Sequence, residues 1–143
     1  MKKNVILLLT GIYMGIIWGS CNDGSSFKAQ DLDGRWMIVS VMDEPVTLEN
    51  RPFLEFSTAE KRLQGNVGCN MLSAGFEPDS KDMTAYKLIA PVTTMMACIH
   101  YDTESKIVQA INNVTHVKKG ELPNQTKLTD KEGNILLVLE RAD

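Results

Sequence analysis

The chain reads as a mainly β domain: a small antiparallel, barrel-like twisted sheet with one amphipathic helix near residues 103–114. Three observations predict it. Short runs of β-formers recur at intervals with turn residues between them, the pattern of a sandwich or barrel. One stretch breaks that rhythm: Ile107, Ala110, Ile111 and Val114 fall at i, i+3, i+4 and i+7, a helical stripe. The composition, 43% hydrophobic and 23% charged over 143 residues, is globular and suits one core.

The elements follow in order. Trp36 to Met42 is rich in β-formers and ends at a turn, Asp43-Glu44-Pro45. Phe53 to Phe56 follows Pro52, with Phe53 and Glu55 on one face and Leu54 and Phe56 on the other. Arg62 to Val67 and Asn70 to Phe76 flank Gly68-Cys69, where glycines suggest sharp bends or close backbone approach. Pro78 to Asp82 is a turn, and Met83 to Val92 alternates as a strand. Asp102 or Thr103 can cap the helix, with Glu104 in its first turn favouring the positive end of the dipole. His116 to Lys119 and Thr126 to Thr129 are further strands, and Asp130 to Asn134 turns the chain into Ile135 to Leu139. That last run is apolar on both faces, which predicts cover on both sides.

The beginning of the chain carries a different message. Met1-Lys2-Lys3-Asn4 is a short positive segment, and Val5 to Trp18 is apolar apart from Thr10 and small glycines. That stretch is too short to span roughly 30 Å of hydrocarbon comfortably and fits a signal peptide. Gly19-Ser20-Cys21 resembles a bacterial lipobox, in which the cysteine sulfur takes a diacylglycerol and cleavage exposes its amine. Trp18 departs from the aliphatic residue usual there; the plain alternative is a secretory leader with a coincidental cysteine. The expected layout is a leader over 1–20, lipidation at Cys21, a tether over 21–30 and the domain over 31–143, with folding beginning near Asp31 or Leu32. The expected place is the cell envelope, held at a membrane by lipid and facing away from the cytoplasm.

Acylation also accounts for the odd cysteine count. With Cys21 taken, Cys69 and Cys98 remain as a pair in an oxidising compartment. A bridge would stabilise a small domain by roughly 3–4 kcal/mol on chain entropy, and two reduced buried thiols are the alternative. Charge excludes one class of partner. The formal charge is −3, and losing Lys2 and Lys3 with the leader makes it more negative. An acidic chain without a basic block lacks the footprint of a nucleic-acid binder.

Several blocks then fall into a familiar order: Leu32-Asp33-Gly34-Arg35-Trp36, Arg51 to Phe56, Gly65-Asn66-Val67-Gly68-Cys69-Asn70, Thr94-Met95-Met96-Ala97-Cys98, Glu104, and Leu128-x-Asp130-x-x-Gly133-x-x-Leu136. From about Leu32 to Arg141 they resemble the META domain, also called the HslJ-like family. The resemblance implies a small barrel-like domain, often secreted or lipid-anchored, linked with stress response and drug tolerance and without an accepted catalytic activity. It supplies no catalytic residues. Its two most specific motifs each carry a cysteine, which favours the Cys69–Cys98 bridge, and Asn66, Asn70, Thr94, Met95 and Met96 form a candidate motif surface.

Each chemistry has an ordinary reading beside it. Cys69 or Cys98 with His100 or His116 could make a nucleophile pair, but no third group orients it and a bridge consumes both thiols. Cys69, Cys98 and His100 lack the paired spacing and fourth ligand of a zinc site, so neither metal nor cofactor is expected. Glu55 with Glu60 or Glu77 could be a carboxylate pair, or simply solvated faces. Met71, Met83, Met95 and Met96 fit core packing best, with an adaptable pocket as the alternative. Asn66 and Asn70 beside glycines fit turn hydrogen bonding, with a recognition edge as the alternative. The expected function is non-catalytic: a tethered domain that binds a partner or supports the envelope under stress. A carrier of one small apolar molecule inside the barrel is the alternative.

Overall fold

The computed structural model describes residues 27–143; the expected leader and Cys21 lie outside them. The strands are β1 (Gly34–Val41), β2 (Glu44–Pro45), β3 (Phe53–Ser57), β4 (Arg62–Asn66), β5 (Met71–Pro78), β6 (Tyr86–Thr93), β7 (His116–Lys119), β8 (Gln125–Thr129) and β9 (Ile135–Arg141), with the helix α1 (Tyr101–Asn113) between β6 and β7. They form one nine-stranded sheet in the order β6-β5-β4-β3-β1-β9-β8-β7, with β2 appended to β1. Every strand pairing is antiparallel.

The sheet curls into a half-barrel because its strands alternate and bulge. Leu54 and Phe56 of β3, Leu63 of β4, and Leu72, Ala74 and Phe76 of β5 point to the concave side and are buried. Register shifts in β1, β5 and β8 bend the ladder, as bulges do. The two edges approach at one point: Tyr86 donates its N–H to the Thr115 carbonyl at 2.9 Å and Val117 to that of Thr84 at 2.8 Å.

The helix packs on β1 and β9 and completes the core. Ile107, Ala110, Ile111 and Val114 are all buried, as their spacing predicts. Phe76 anchors the other half of the core, its ring 5.1 Å from Phe56 and 5.3 Å from Tyr86. Phe76, Leu54, Leu63, Leu128 and Leu137 fill the interior. A carrier cavity inside the barrel therefore finds its space taken.

Four expectations need correction. Folding begins earlier than Asp31: a 3-10 turn, Ala29–Leu32, buries Ala29 and Leu32, and the Phe27 ring meets Trp36 edge-on at 6.1 Å. Glu44 and Pro45 are not the turn after β1 but pair with it; the two-residue loop is Met42-Asp43, both at positive φ as a tight hairpin requires. The helix begins at Tyr101, so Asp102 and Thr103 lie inside its first turn, and His100 at the cap position makes no side-chain cap bond. Strand β9 is not covered on both faces: Leu137 and Leu139 are buried, but Ile135 is exposed and Leu136 and Val138 are half-buried. Half a barrel leaves its convex side to solvent.

Candidate functional site

The β4–β5 connection, Val67 to Asn70, is a tight loop folded by its own polar groups. Val67 donates to the Asn70 carbonyl at 3.0 Å, and Asn66 Oδ1 accepts the Gly68 N–H at 2.8 Å. Gly68 has φ +141°, a conformation rare for any other residue, and a Cβ there would lie 3.2 Å from Glu104 Oε2. The loop is thus shaped to receive a carboxylate from the helix.

That carboxylate is Glu104, buried although it sits in the first turn of α1. Its Oε2 accepts N–H bonds from Cys69 at 3.0 Å and Asn70 at 3.4 Å, and its Oε1 accepts the Asn70 side-chain amide. Among the described residues no ion pair involves it. Its charge is met by N–H groups and the helix dipole alone.

Asn70 is the hub. Its Oδ1 accepts from the Thr94 hydroxyl at 2.8 Å and the Met96 N–H at 2.7 Å, while its amide reaches Glu104 and the Met96 carbonyl. Thr94 and Met71 also exchange two bonds of 3.0 Å. The segment after β6 is therefore held by one buried amide and then by a covalent staple. Cys69 and Cys98 form a disulfide with a Cα–Cα distance of 6.0 Å, closing a separation of 29 residues.

Between this stapled segment and the helix lies an open groove of about 530 Å³, lined by Asn70, Met95, Met96, Tyr101, Glu104 and Val108 among others. A smaller hollow of about 300 Å³ lies across the disulfide, against Leu48, Gly68, His100 and Ile99. Met95 and Ile99 are each 96% exposed, and Met96 and Tyr101 are also exposed.

The structure brings Asn70, Thr94, Met95 and Met96 to one groove and places Asn66 beside it, shaping the loop. The expectation that the methionines are core residues fails for Met71, Met83, Met95 and Met96, all exposed. The Leu, Ile, Val and Phe side chains fill the interior without them. Tyr101, Ser105 and Val108 were not anticipated as site residues. Glu104 is expected from the sequence as a dipole partner and as one of the residues of the family resemblance, and it also lies three and seven residues before Ile107 and Ile111, on the buried stripe. An acid on an apolar stripe was the available signal.

The other candidate groups are accounted for elsewhere. Cys69, Cys98 and Glu104 offer atoms within 4.8 Å of one another, but the two sulfurs are bonded to each other and present no thiolate. His116 contacts the Thr115 hydroxyl at 2.8 Å and Asp82 at 3.4 Å, at the seam of the sheet. Hydrogen bonds from the Thr84 hydroxyl and N–H hold the Asp82 carboxyl below its ordinary range. Glu55 pairs with Arg35 at 2.8 Å and Glu60 with Arg62 at 2.7 Å, both on the surface, and Glu77 is exposed.

Fold and site together define, over the described residues, an antiparallel half-barrel stapled by a disulfide and carrying an apolar surface groove built over a buried carboxylate. The chain belongs to the META domain family, which it matches over residues 29–143. No curated protein matches it. Among solved structures it is similar to the NMR structure of a protein from Burkholderia xenovorans, with a TM-score of 0.60, 19% identity, and coverage of 79% of this chain and 85% of that one. At that identity the likeness concerns the fold alone.

Proposed function

We propose that this META domain is a non-catalytic binding module, exported and held at the cell envelope through a lipidated Cys21, whose groove between residues 94–98 and α1 is the recognition surface. One observation carries the reading. The motif blocks around Asn70 and Met96, together with Glu104, are distant in the chain yet spend their polar groups on building one rigid wall, whose outer side is bare thioether and aromatic surface. Exposed apolar surface of this kind on a small domain marks an interaction site. Both sulfurs are bridged and both candidate carboxylates near cations are paired, which supports a binding role over a reaction. The lipobox-like Gly19-Ser20-Cys21 supports the envelope address, and the family resemblance supports a role under stress.

The test is photo-crosslinking in intact cells from a reactive residue at position 95, with position 127 on β8 as the control. Adducts from position 95 alone are expected. Equal adducts from both positions, or none from 95, count against the groove. Mass spectrometry of the mature protein tests the anchor: a diacylglyceryl N-terminus at Cys21, lost in Cys21→Ala, is expected.

A further inference from the structure

We infer that the groove is a site for a small organic cation, an ammonium or guanidinium joined to an apolar body; this rests on the groove being the recognition surface. The first argument is charge. Glu104 is the one charged residue lining the groove, which carries no Lys, Arg or His. The one cation in the first two turns of α1, Lys106, is tied to Glu44 at 2.6 Å. Asp102, exposed in the same first turn, adds to the negative field.

The second argument is capacity. A carboxylate oxygen has room for about two hydrogen bonds. Glu104 Oε2 takes two N–H groups, from Cys69 and Asn70. Oε1 takes only the Asn70 side-chain amide, so one acceptor direction is left on a buried anion beside an open hollow. A donor cation can use that direction directly. A quaternary one gains from the charge alone.

The third argument is the walls. Tyr101, Met95, Met96 and Val108 line the same groove as the carboxylate and supply a ring, two thioethers and an aliphatic face. An aromatic face and polarisable sulfur favour a weakly hydrated cation with apolar substituents over an ion such as Na⁺, which gives up water reluctantly. A volume of about 530 Å³ suits a ligand of small-molecule size. An anion would meet the Glu104 carboxylate with no cationic side chain in the lining to draw it in.

Three probes of closely matched shape test this by titration of the mature domain: benzyltrimethylammonium, its neutral carbon isostere neopentylbenzene, and phenylmethanesulfonate. Binding is read from Met95 and Met96 methyl shifts and the Asn70 side-chain amide. The cation should bind at least about tenfold more tightly than the neutral isostere, equivalent to roughly 1.4 kcal/mol, and its affinity should fall with added salt. The sulfonate should not bind. Glu104→Gln should bring the ratio of cation to neutral affinity to about one; the ratio is the readout because an amide at this position also disturbs the N–H groups of Cys69 and Asn70 that the carboxylate holds. Tyr101→Ala, at an exposed position, should weaken the cation several-fold and decides the matter if Glu104→Gln does not fold. Equal affinity for cation and neutral isostere would overturn the cation assignment and leave the groove reading standing. Failure of every probe to shift the groove residues would overturn both.

Discussion

Replacing Asn70 by alanine should cost this domain far more than an ordinary loop substitution. The side chain loses its amide bonds to the Glu104 carboxylate and the Met96 carbonyl, and the bonds its oxygen accepts from the Thr94 hydroxyl at 2.8 Å and the Met96 N–H at 2.7 Å. A hydrogen bond to a charged group contributes about 1.5–3 kcal/mol and a neutral one about 0.5–1.5 kcal/mol. Thr94 and Met96 are exposed and can turn to water, which discounts their share; Glu104 is buried and cannot. The expected loss is about 2–4 kcal/mol, roughly a 10 °C fall in Tm for a domain of this size. Urea unfolding of the mature, oxidised domain measures it, with Asn66→Ala as a control expected to cost about 1 kcal/mol because Asn66 Oδ1 accepts only the Gly68 N–H. Hydrogen exchange at Met96 should accelerate in Asn70→Ala alone. A loss no larger than that of Asn66→Ala would refute the idea that one amide organises the groove wall.

Other outcomes follow from the same contacts. Opening the bridge with Cys69→Ser/Cys98→Ser should lower stability by about 3–4 kcal/mol, read from denaturant midpoints against the oxidised protein. Gly65→Ala should be more damaging still, because a Cβ there would lie 2.2 Å from the Phe53 carbonyl oxygen in the adjoining strand; soluble yield and far-UV circular dichroism report it. Tyr86→Phe should hold or raise Tm, since the Tyr86 hydroxyl is buried without a protein hydrogen-bond partner among the described residues and burial alone pushes its pKa up. Asp130 is held below the ordinary carboxylate range, first by the Asn134 side-chain amide and then by surrounding N–H groups. A lowered folded pKa contributes stability that is present above the unfolded value and lost as pH falls through the folded one. Asp130→Ala should therefore be less stable than the parent near neutrality, with the gap closing below about pH 4 in urea titrations.

Much of the fold was legible because alternation and helical spacing are local signals. Leu54 and Phe56, or Ile107 and Ile111, announce their faces without knowledge of the rest of the chain. What stayed hidden depended on tertiary contact. The hairpin at Met42-Asp43 was obscured because Met at positive φ is no turn signal, while Pro45 two residues on is a strong one. The helix start was misplaced because the Cys98 staple and the inward turn of Glu104 fix it, in place of a side-chain cap. Hydrophobicity alone points the methionines to the core, and it cannot say which apolar residues are left over once a small interior is full. Of the site, the motif blocks name Asn70, Thr94, Met95, Met96, Ala97, Cys98 and Glu104. The rest of the helical wall is hidden because Tyr101, Ser105 and Val108 lie off the buried stripe and carry no motif.

The most direct measurement is a ¹³C-methyl spectrum of the methionines in the mature domain, taken as material captured through position 95 is added back. Met83 is the internal control, 55% exposed against 59% for Met96, with its backbone carbonyl bonded to Ala29 near the start of the domain. The Met95 and Met96 methyls should shift and broaden while Met83 stays in place. Movement at Met83 with the other two unchanged would mean that recognition happens elsewhere on the domain.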